Sequence, residues 1–324
     1  MTPGDPLVEV TRRDVRTDTG LVESMHTGHL VVTGPDGVMA AVGDPDVVTF
    51  VRSTAKPFQA TACLELLGVS GVEPSAAEVA VGWSSHRAEQ VHIDAVMRLL
   101  HRSGTSPDDL TCPPAVADVD PGAAPARISH NCSGKHALFA LAGMETGSPR
   151  QRLLDVDGPL QRVVLAGLVD AFGPLTAIGV DGCGAPAVAV PVVAVADAYR
   201  TLVVGDRFAR VREAGFVHPR LVGGTGRLES ALLSAGVVAK PGAEGMFAVG
   251  WKGLDGSARG LAVKIADGDQ RAAATVVATV LMDLEVVPRD TWAPPPPLGG
   301  GRPAGSVRAT PALRAVTETL LATR

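Results

Sequence analysis

The order of the apolar segments is the feature that most limits what this chain can fold into. Short strand-like runs pair through turns at 30–42 and again at 246–265. Other segments carry the apolar spacing of helices, namely 88–101, 135–143, 151–172 and 271–286. Strands and helices do not alternate regularly as in repeated β-α-β units. The pattern therefore predicts an α+β layered fold.

Four segments have local predictions of their own. Residues 54–67 are predicted as a helix, and because proline is best tolerated in a first turn, Ser53 is expected at its N-terminus, as the cap or its neighbour. The apolar run 79–83 is predicted as a strand. The run 187–196 is compatible with a helix or a strand. The Pro/Gly-rich segment 293–305 is predicted to be an exposed loop.

Composition narrows the classes of function. The 324 residues include 29 Lys and Arg against 34 Asp and Glu, and aromatic residues make up 3%. A mildly acidic chain with few aromatic side chains has no general affinity for nucleic acid or an anionic membrane. The longest apolar stretch, 185–196, is too short to cross a bilayer, and the polar residues 1–20 do not resemble a signal peptide. We therefore expect a cytoplasmic protein that acts on a small molecule.

The four cysteines are too sparse for a disulfide framework, so free thiols are expected. They are Cys63, Cys112, Cys132 and Cys183. The length is enough for one large domain or two small ones, and we expect a single domain over 1–324 that contains the 293–305 loop.

Ser53-Thr54-Ala55-Lys56 places a hydroxyl and an amine at positions i and i+3, on one face of a helix. A partly desolvated amine can act as the base that a serine nucleophile needs, and a helix N-terminus supplies donors for an oxyanion. This S-x-x-K pattern occurs in class A β-lactamases and penicillin-binding proteins. A capping serine followed by a solvated lysine has the same spacing, so the spacing alone favours the structural interpretation.

Two later segments are compatible with the same chemistry. Lys240-Pro241-Gly242 follows an apolar run and resembles the K-x-G strand motif that accompanies S-x-x-K. Between the two lies Trp83-Ser84-Ser85-His86, which could supply a second hydroxyl. Three such motifs in this chain order are harder to explain as surface turns.

A third group combines Cys132 and Lys135 in the segment 129–136 with Cys183 in the segment 181–184. Two thiolates and nearby nitrogen donors could bind Zn²⁺. There is no C-x-x-C pair, and a lysine ligand must lose its proton. Spacing alone favours buried free cysteines beside a glycine-rich loop.

Taken together, these blocks resemble the asparaginase II family, the rhizobial-type L-asparaginases. The resemblance rests on Glu23-Ser24-Met25-His26, Arg52-Ser53-Thr54-Ala55-Lys56-Pro57-Phe58-Gln59, Ser85-His86, His130-Asn131-Cys132-Ser133-Gly134-Lys135-His136, Asp181-Gly182-Cys183-Gly184 and Lys240-Pro241-Gly242-Ala243-Glu244-Gly245. It runs from about Leu21 to Arg271, and no block is recognised after Asp290.

The resemblance implies a serine β-lactamase/glutaminase-like fold, in which helices flank an antiparallel sheet and form a helical subdomain. It implies a homodimer and hydrolysis of the side-chain amide of L-asparagine through a serine acyl-enzyme. The implied catalytic residues are Ser53, Lys56, Ser85 and Lys240; the implied substrate contacts are Asp181, Arg52 and His86; the implied zinc ligands are Cys132, Lys135 and Cys183. Ser84 is a rival for Ser85, and Lys264 for Lys240, although the K-x-G context favours Lys240.

Other functions remain open at this point. One is a related serine amidase, such as a glutaminase or a β-lactam hydrolase. Another is a non-catalytic small-molecule-binding protein on the same scaffold, although such a protein is expected to lose a catalytic residue. A self-processing threonine hydrolase fits poorly, because Gly104-Thr105 and Gly224-Thr225 lie in loop-like contexts.

Overall fold

The computed structural model describes residues 5–322. The chain divides into two compact units, each assembled from separate stretches of sequence. Unit 1 takes the residues up to Thr54, Val190–Val203, and the residues from Ala239 onward; unit 2 takes Ala55–Ala189 and Val204–Val238. The single catalytic domain stays a prediction. The first four residues of the predicted polar N-terminus and the last two of the chain lie outside the described residues.

The strands in chain order are β1 (Pro6–Arg13), β2 (Gly20–Gly34), β3 (Gly37–Val42), β4 (Val48–Phe50), β5 (Ala177–Val180), β6 (Pro186–Pro191), β7 (Val238–Pro241), β8 (Met246–Lys252), β9 (Ala258–Ile265), β10 (Leu298–Gly299), β11 (Arg302–Pro303) and β12 (Gly305–Ala309). The α-helices are α1 (Lys56–Val69), α2 (Ala76–Gly82), α3 (Gln90–Arg102), α4 (Ser133–Glu145), α5 (Pro159–Phe172), α6 (Val192–Val204), α7 (Ala209–Val217), α8 (Pro219–Gly223), α9 (Leu228–Ser234), α10 (Gln270–Asp283) and α11 (Pro311–Ala322).

Unit 1 is built on a sheet of order β12-β1-β2-β9-β8-β7, with β3 also paired to β2. The β1–β2, β2–β3, β2–β9, β8–β9 and β1–β12 pairs are antiparallel. Both predicted hairpins are confirmed: Gly34 pairs with Gly37, and Lys252 pairs with Ala258. Helices α10 and α11 pack on the sheet, α10 on β8 and β9 and α11 on β1 and β3.

The segment 187–196, compatible with either helix or strand, contains both. β6 ends at Pro191 and α6 begins at Val192. Proline has no N–H to donate to a strand ladder, and its fixed φ suits the entry to a helix, so the change occurs there. The apolar segment 231–240 likewise contains two elements, the end of α9 and most of β7.

The backbone of helix α6 approaches the sheet closely at two glycines. Gly250 on β8 pairs with Gly260 on β9. A Cβ on Gly260 would lie 1.9 Å from the Ala196 carbonyl oxygen, and one on Gly250 would lie 2.3 Å from the Tyr199 carbonyl oxygen. The helix backbone therefore rests directly on the glycine pair. Trp251, the next residue along β8, projects to the other face and is 1% exposed.

Unit 2 is mainly helical. Helix α1 packs against α4, α5 and α7, and α2 packs against α3, α4 and α7. Strands β5 and β6 pair antiparallel, from Ala177 opposite Ala189 to Val180 opposite Pro186.

The strand predicted at 79–83 is wrong. These residues continue α2, which ends at Gly82, and Trp83 follows it, fully buried. The helix begins with a capping box in which Ser75 accepts the Glu78 N–H and Glu78 accepts the Ser75 N–H at 2.7 Å. The Ser-x-x-Glu spacing that starts the helix is visible in the sequence. It identifies the following apolar run as helical, whereas the periodicity of so short a run fits either a helix or a strand.

The predicted fold class, an antiparallel sheet with helices and a helical subdomain, is confirmed. The 293–305 segment is less irregular than expected, because β10 and β11 form a minimal hairpin within it and β12 then joins the main sheet beside β1. Within residues 5–322, no helix combines the length and the apolar character needed to span a membrane.

The contact between α6 and the glycine pair should be sensitive to a single methyl group. We expect Gly260→Ala to lower the free energy of unfolding by about 3 kcal/mol, because the new Cβ overlaps backbone that cannot turn aside. The measurement is urea unfolding followed by circular dichroism. Gly68→Ala is the control, since Gly68 lies in α1 with open space around it and alanine favours a helix by up to about 1 kcal/mol. Equal stability of the two variants would contradict the packing.

Candidate active site

Ser53 lies in a sharp turn between β4 and α1. Residues Arg52–Ala55 form a single 3₁₀ turn, and the backbone of Arg52 is left-handed, with φ of 52°. The N–H and the hydroxyl of Thr54 both donate to the Val51 carbonyl oxygen, at 3.2 and 2.6 Å. The N-cap of α1 is Ala55, so Ser53 is not the cap and belongs to the turn that precedes the helix. A non-glycine residue in the left-handed region is typical of functional turns.

The K-P-G motif lies beside this turn within unit 1. Lys240 is fully buried on β7. A Cβ on Gly242 would lie 3.0 Å from the Val51 carbonyl oxygen, which is closer than an ordinary van der Waals contact. Glycine at this position therefore lets the two backbones approach each other. The first and last of the three motifs are therefore neighbours in space.

Lys264 has a different environment. Its Nζ donates to the carbonyl oxygens of Glu244 and Ile265, at 2.5 and 2.7 Å. Burial lowers the pKa of Lys264, against the opposing effects of Glu244 and Asp267. Its amine thus ties the 243–245 turn to β9. These contacts favour Lys240 over Lys264 as the functional lysine.

Lys56 and Ser85 are in direct contact within unit 2. Lys56 is 1% exposed, and its Nζ donates to the Ser85 Oγ at 3.0 Å and to the Ser84 carbonyl oxygen at 2.5 Å. The Ser84 hydroxyl is fully buried and donates to the Val81 carbonyl oxygen at 2.8 Å. Of the two serine hydroxyls, only that of Ser85 is therefore hydrogen-bonded to Lys56.

The loop that carries Ser85 is fixed to the start of α4. A Cβ on Gly134 would lie 2.1 Å from the Val81 carbonyl oxygen, so the backbones of α4 and α2 touch. The His86 N–H donates to the Asn131 carbonyl oxygen at 3.2 Å. Two blocks separated by more than forty residues are thus one packed structure.

His86 connects the same two blocks through its side chain. Its Nδ1 accepts the Ala88 N–H at 3.1 Å, so its Nε2 carries the proton and donates to the Ser133 Oγ at 2.8 Å. Ser133 in turn donates to the Ile128 carbonyl oxygen. Burial, followed by the charges of His92 and Lys56, lowers the pKa of His86 well below its usual range. His86 is therefore neutral, and its contact with substrate stays a prediction.

Glu89, which the sequence interpretation missed, holds the segment behind Ser85. One carboxylate oxygen accepts the Thr225 N–H at 2.7 Å; the other accepts the Thr225 hydroxyl at 2.9 Å and the Arg220 Nε at 2.8 Å. The same segment contacts the serine, because the Ser85 N–H donates to the Val222 carbonyl oxygen at 3.1 Å. Burial opposes ionisation, but these donors outweigh it and lower the pKa of Glu89 to about 2.

The structure brings the predicted zinc ligands together. Cys132 precedes α4, Lys135 lies in its first turn, and Cys183 lies in the loop between β5 and β6. The Lys135 Nζ is 3.2 Å from the Cys183 Sγ, and an Asp181 carboxylate oxygen is 3.9 Å from the same sulfur.

The two cysteine side chains influence each other. Their interaction lowers the pKa of Cys132 well below its usual range, and the same interaction together with burial raises the pKa of Cys183. All four cysteines are free of disulfide bonds, as expected. No group of three His, Cys, Asp or Glu side chains that could hold a metal occurs among residues 5–322. The two sulfurs fit the donor preference of Zn²⁺, whereas the Lys135 amine would bind the metal only after losing its proton.

The remaining predicted residues lie close to these groups in their own units. Asp181 is half-buried, and its Oδ1 accepts the Gly182 N–H at 2.8 Å. Arg52 is half-buried in the left-handed position next to Ser53. Of the predicted site residues, Arg52, Ser53 and Lys240 belong to unit 1, and Lys56, Ser85, His86, Cys132, Lys135, Asp181 and Cys183 belong to unit 2.

A family model described as L-asparaginase II matches residues 8–309. The chain belongs to the L-asparaginase II family. Membership in the L-asparaginase II family confirms the resemblance, extends it past Asp290, and points to a hydrolase that acts on amides of small molecules. The homodimer and the cytoplasmic location stay predictions.

Solved structures that match the chain include a β-lactamase from Mycobacterium bovis, with 16% identity and a TM-score of 0.38 over 79% of this chain and 94% of that one. A second is Mglu in its native form, with 20% identity and a TM-score of 0.37 over 80% of this chain and 64% of that one. No curated protein matched the chain.

The Glu89 network should make stability depend on pH in a defined window. The folded-state pKa of Glu89 is about 2 against an ordinary value of 4.5, so its contribution is full above about pH 4.5 and is lost as the pH falls towards 2. We expect Glu89→Gln to lower the free energy of unfolding by about 2 kcal/mol at pH 7, the scale of hydrogen bonds to a charged group. The difference from wild type should shrink as the pH falls from 4.5 to 3.

Urea unfolding at pH 7, 4 and 3 measures this difference. Glu318→Gln, exposed on α11, is the control and should match wild type at every pH. A Glu89→Gln difference that stays constant with pH would show that Glu89 acts by shape and not by charge.

Proposed function

We propose that this protein hydrolyses the side-chain amide of L-asparagine to L-aspartate and ammonia through a serine acyl-enzyme. The observation that carries the proposal is the buried Lys56 amine bonded to the Ser85 hydroxyl at 3.0 Å, on a lysine three residues after Ser53. Membership in the L-asparaginase II family supports amide hydrolysis. The family match and the contact between Lys56 and Ser85 together favour an enzyme over a non-catalytic binding protein with the same fold.

Ser53 is the nucleophile of the proposed mechanism. Its Oγ bonds to the amide carbon while Lys56, in its neutral form, accepts the hydroxyl proton. The N-terminal N–H groups of α1 stabilise the oxyanion that forms, because they are oriented donors at a helix start. The carbon–nitrogen bond then breaks, and ammonia leaves with the proton that Ser85 relays from Lys56. A water molecule hydrolyses the resulting ester, releases aspartate and restores Ser53.

The other residues of the proposal have supporting roles. Lys240 is the second amine of the proposed reaction, and its burial on β7 keeps it out of bulk water. Asp181 binds the α-ammonium of the substrate, and the guanidinium of Arg52 suits its α-carboxylate, because guanidinium and carboxylate pair through two hydrogen bonds. His86 orders the Ser85 loop through Ser133.

Ser53→Ala and Lys56→Ala should each lower kcat for L-asparagine by at least ~10³, because each removes one member of an interdependent unit. The measurement is ammonia release between pH 6 and 9 with purified enzyme. A Ser53→Ala enzyme that keeps a tenth of wild-type activity would exclude Ser53 as nucleophile.

Two comparisons sharpen that experiment. Lys240→Met should abolish activity, whereas Lys264→Met should only reduce stability, since Lys264 bonds backbone carbonyls. L-glutamine and a chromogenic β-lactam, assayed side by side with L-asparagine, separate the related serine amidases. Hydrolysis of either one without asparagine turnover would replace the proposed substrate.

We also propose Cys132, Lys135 and Cys183 as ligands of a zinc ion, with Asp181 beside them. When bound, zinc would supply a fixed positive centre that orders the two loops and leaves a coordination position open. Ser53 already provides the nucleophile, so ordering of Asp181 for the substrate ammonium is the role that the arrangement suits.

Removal of the metal should therefore raise KM more than it lowers kcat, because it loosens a binding contact and leaves the Ser53 turn in place. Mass spectrometry gives the metal content, and kinetics after chelation and re-addition of zinc give the two constants. Cys183→Ser should lose both the metal and its effect. Metal-free protein with wild-type KM would make Cys132 and Cys183 ordinary thiols.

A further inference from the structure

Tyr199 is the single tyrosine of the chain, and its side chain is completely buried on α6. Its hydroxyl donates to the Thr54 carbonyl oxygen at 3.0 Å. Thr54 is the residue directly after Ser53, and all three residues belong to unit 1. Burial raises the pKa of Tyr199 well above its usual range, so the hydroxyl keeps its proton and remains a donor.

The carbonyl that Tyr199 binds lies in the turn that presents Ser53. A carbonyl in a 3₁₀ turn ordinarily accepts the N–H three residues later. For Thr54 that residue is Pro57, which has no N–H. The turn is also strained, because Arg52 is left-handed without being glycine. A strained backbone persists only where several neighbouring contacts hold it in place. The hydrogen bond from the Tyr199 hydroxyl is one of these contacts.

The position of Tyr199 is itself fixed by the sheet. Gly250 contacts the backbone of Tyr199, since a Cβ on this glycine would lie 2.3 Å from the Tyr199 carbonyl oxygen. The partner Gly260 contacts α6 one turn earlier, at Ala196. Helix α6 therefore has a fixed position on β8 and β9. The hydrogen bond from Tyr199 to Thr54 connects the turn to this helix.

We propose that Tyr199 is a positioning residue for the nucleophile. Its hydroxyl fixes the Thr54 carbonyl and thereby the left-handed turn that aims the Ser53 Oγ. Tyr199 touches neither substrate nor reacting atoms, and the inference rests on the proposed role of Ser53.

Tyr199→Phe tests this role, because it removes the hydroxyl and keeps the ring that fills the core. We expect kcat for L-asparagine to fall about tenfold while KM stays within twofold, since the loss affects alignment in the reacting state and not substrate binding. The control is Val276→Ala, a fully buried truncation in α10 of the same unit. It should lower the melting temperature at least as much as Tyr199→Phe and leave kcat within twofold of wild type.

A second readout makes the result independent of the substrate. A fluorophosphonate forms a bond from the Ser53 Oγ to phosphorus and expels fluoride, with the hydroxyl proton passing to the neighbouring base. Intact mass follows the labelling rate, and Ser53→Ala defines the site. We expect Tyr199→Phe to be labelled at least fivefold more slowly than wild type, well below the melting temperature of both proteins.

The outcomes separate the two ideas. Labelling of wild-type Ser53 without ammonia release from asparagine overturns the proposed substrate and leaves the Tyr199 ratio to decide this inference. Equal labelling rates and equal kcat for wild type and Tyr199→Phe overturn the inference alone, even if the variant melts at a lower temperature. A wild-type enzyme that is neither labelled at Ser53 nor active overturns both.

Discussion

A buried amine must find hydrogen-bond partners, and the contacts around the Lys56 amine connect several elements of the helical unit. Lys56 is 1% exposed, and its Nζ is met by the Ser84 carbonyl oxygen and the Ser85 hydroxyl. Without these partners, placing an amine in the core would cost several kcal/mol. The end of α2, the start of α4 and the segment behind Ser85 are each fixed by contacts that keep this pair together. The catalytic proposal therefore depends on the same interaction that the packing requires.

Both units use one device to bring motifs into contact, which is glycine placed where two backbones meet. Gly134 lets α4 lie on the Val81 carbonyl, and Gly242 lets the K-P-G strand lie on the Val51 carbonyl. Direct contact between backbones gives shorter and less variable separations than contact through side chains, because it involves no rotamers. Groups that must be held within fractions of an ångström benefit from such contacts.

The sequence predicted the hairpins and most of the main helices, because turn chemistry and helical spacing are local signals. The long motifs pointed to a set of site residues, and the roles of those residues stay predictions. It misassigned 79–83, where the capping box at Ser75 and Glu78 outweighs a short apolar run. It could not show that the hydroxyl on Lys56 is that of Ser85 and not that of Ser84, since neighbouring serines differ only in where the fold directs their side chains. Glu89 and Tyr199 were missed for the same reason: their partners, Thr225 and Thr54, are more than a hundred residues away in the chain.

The two buried tryptophans give this architecture an optical consequence. Trp83 lies in the core of unit 2 and Trp251 in the core of unit 1, exposed by 0% and 1%. Each unit thus contains its own indole shielded from water, while the third, Trp292, is only half-buried on the segment before β10. Emission from a chain that keeps only one of the buried indoles would report the loss of structure in one unit alone. The natural sequence therefore carries the means to see whether its interleaved halves unfold in one step or in two.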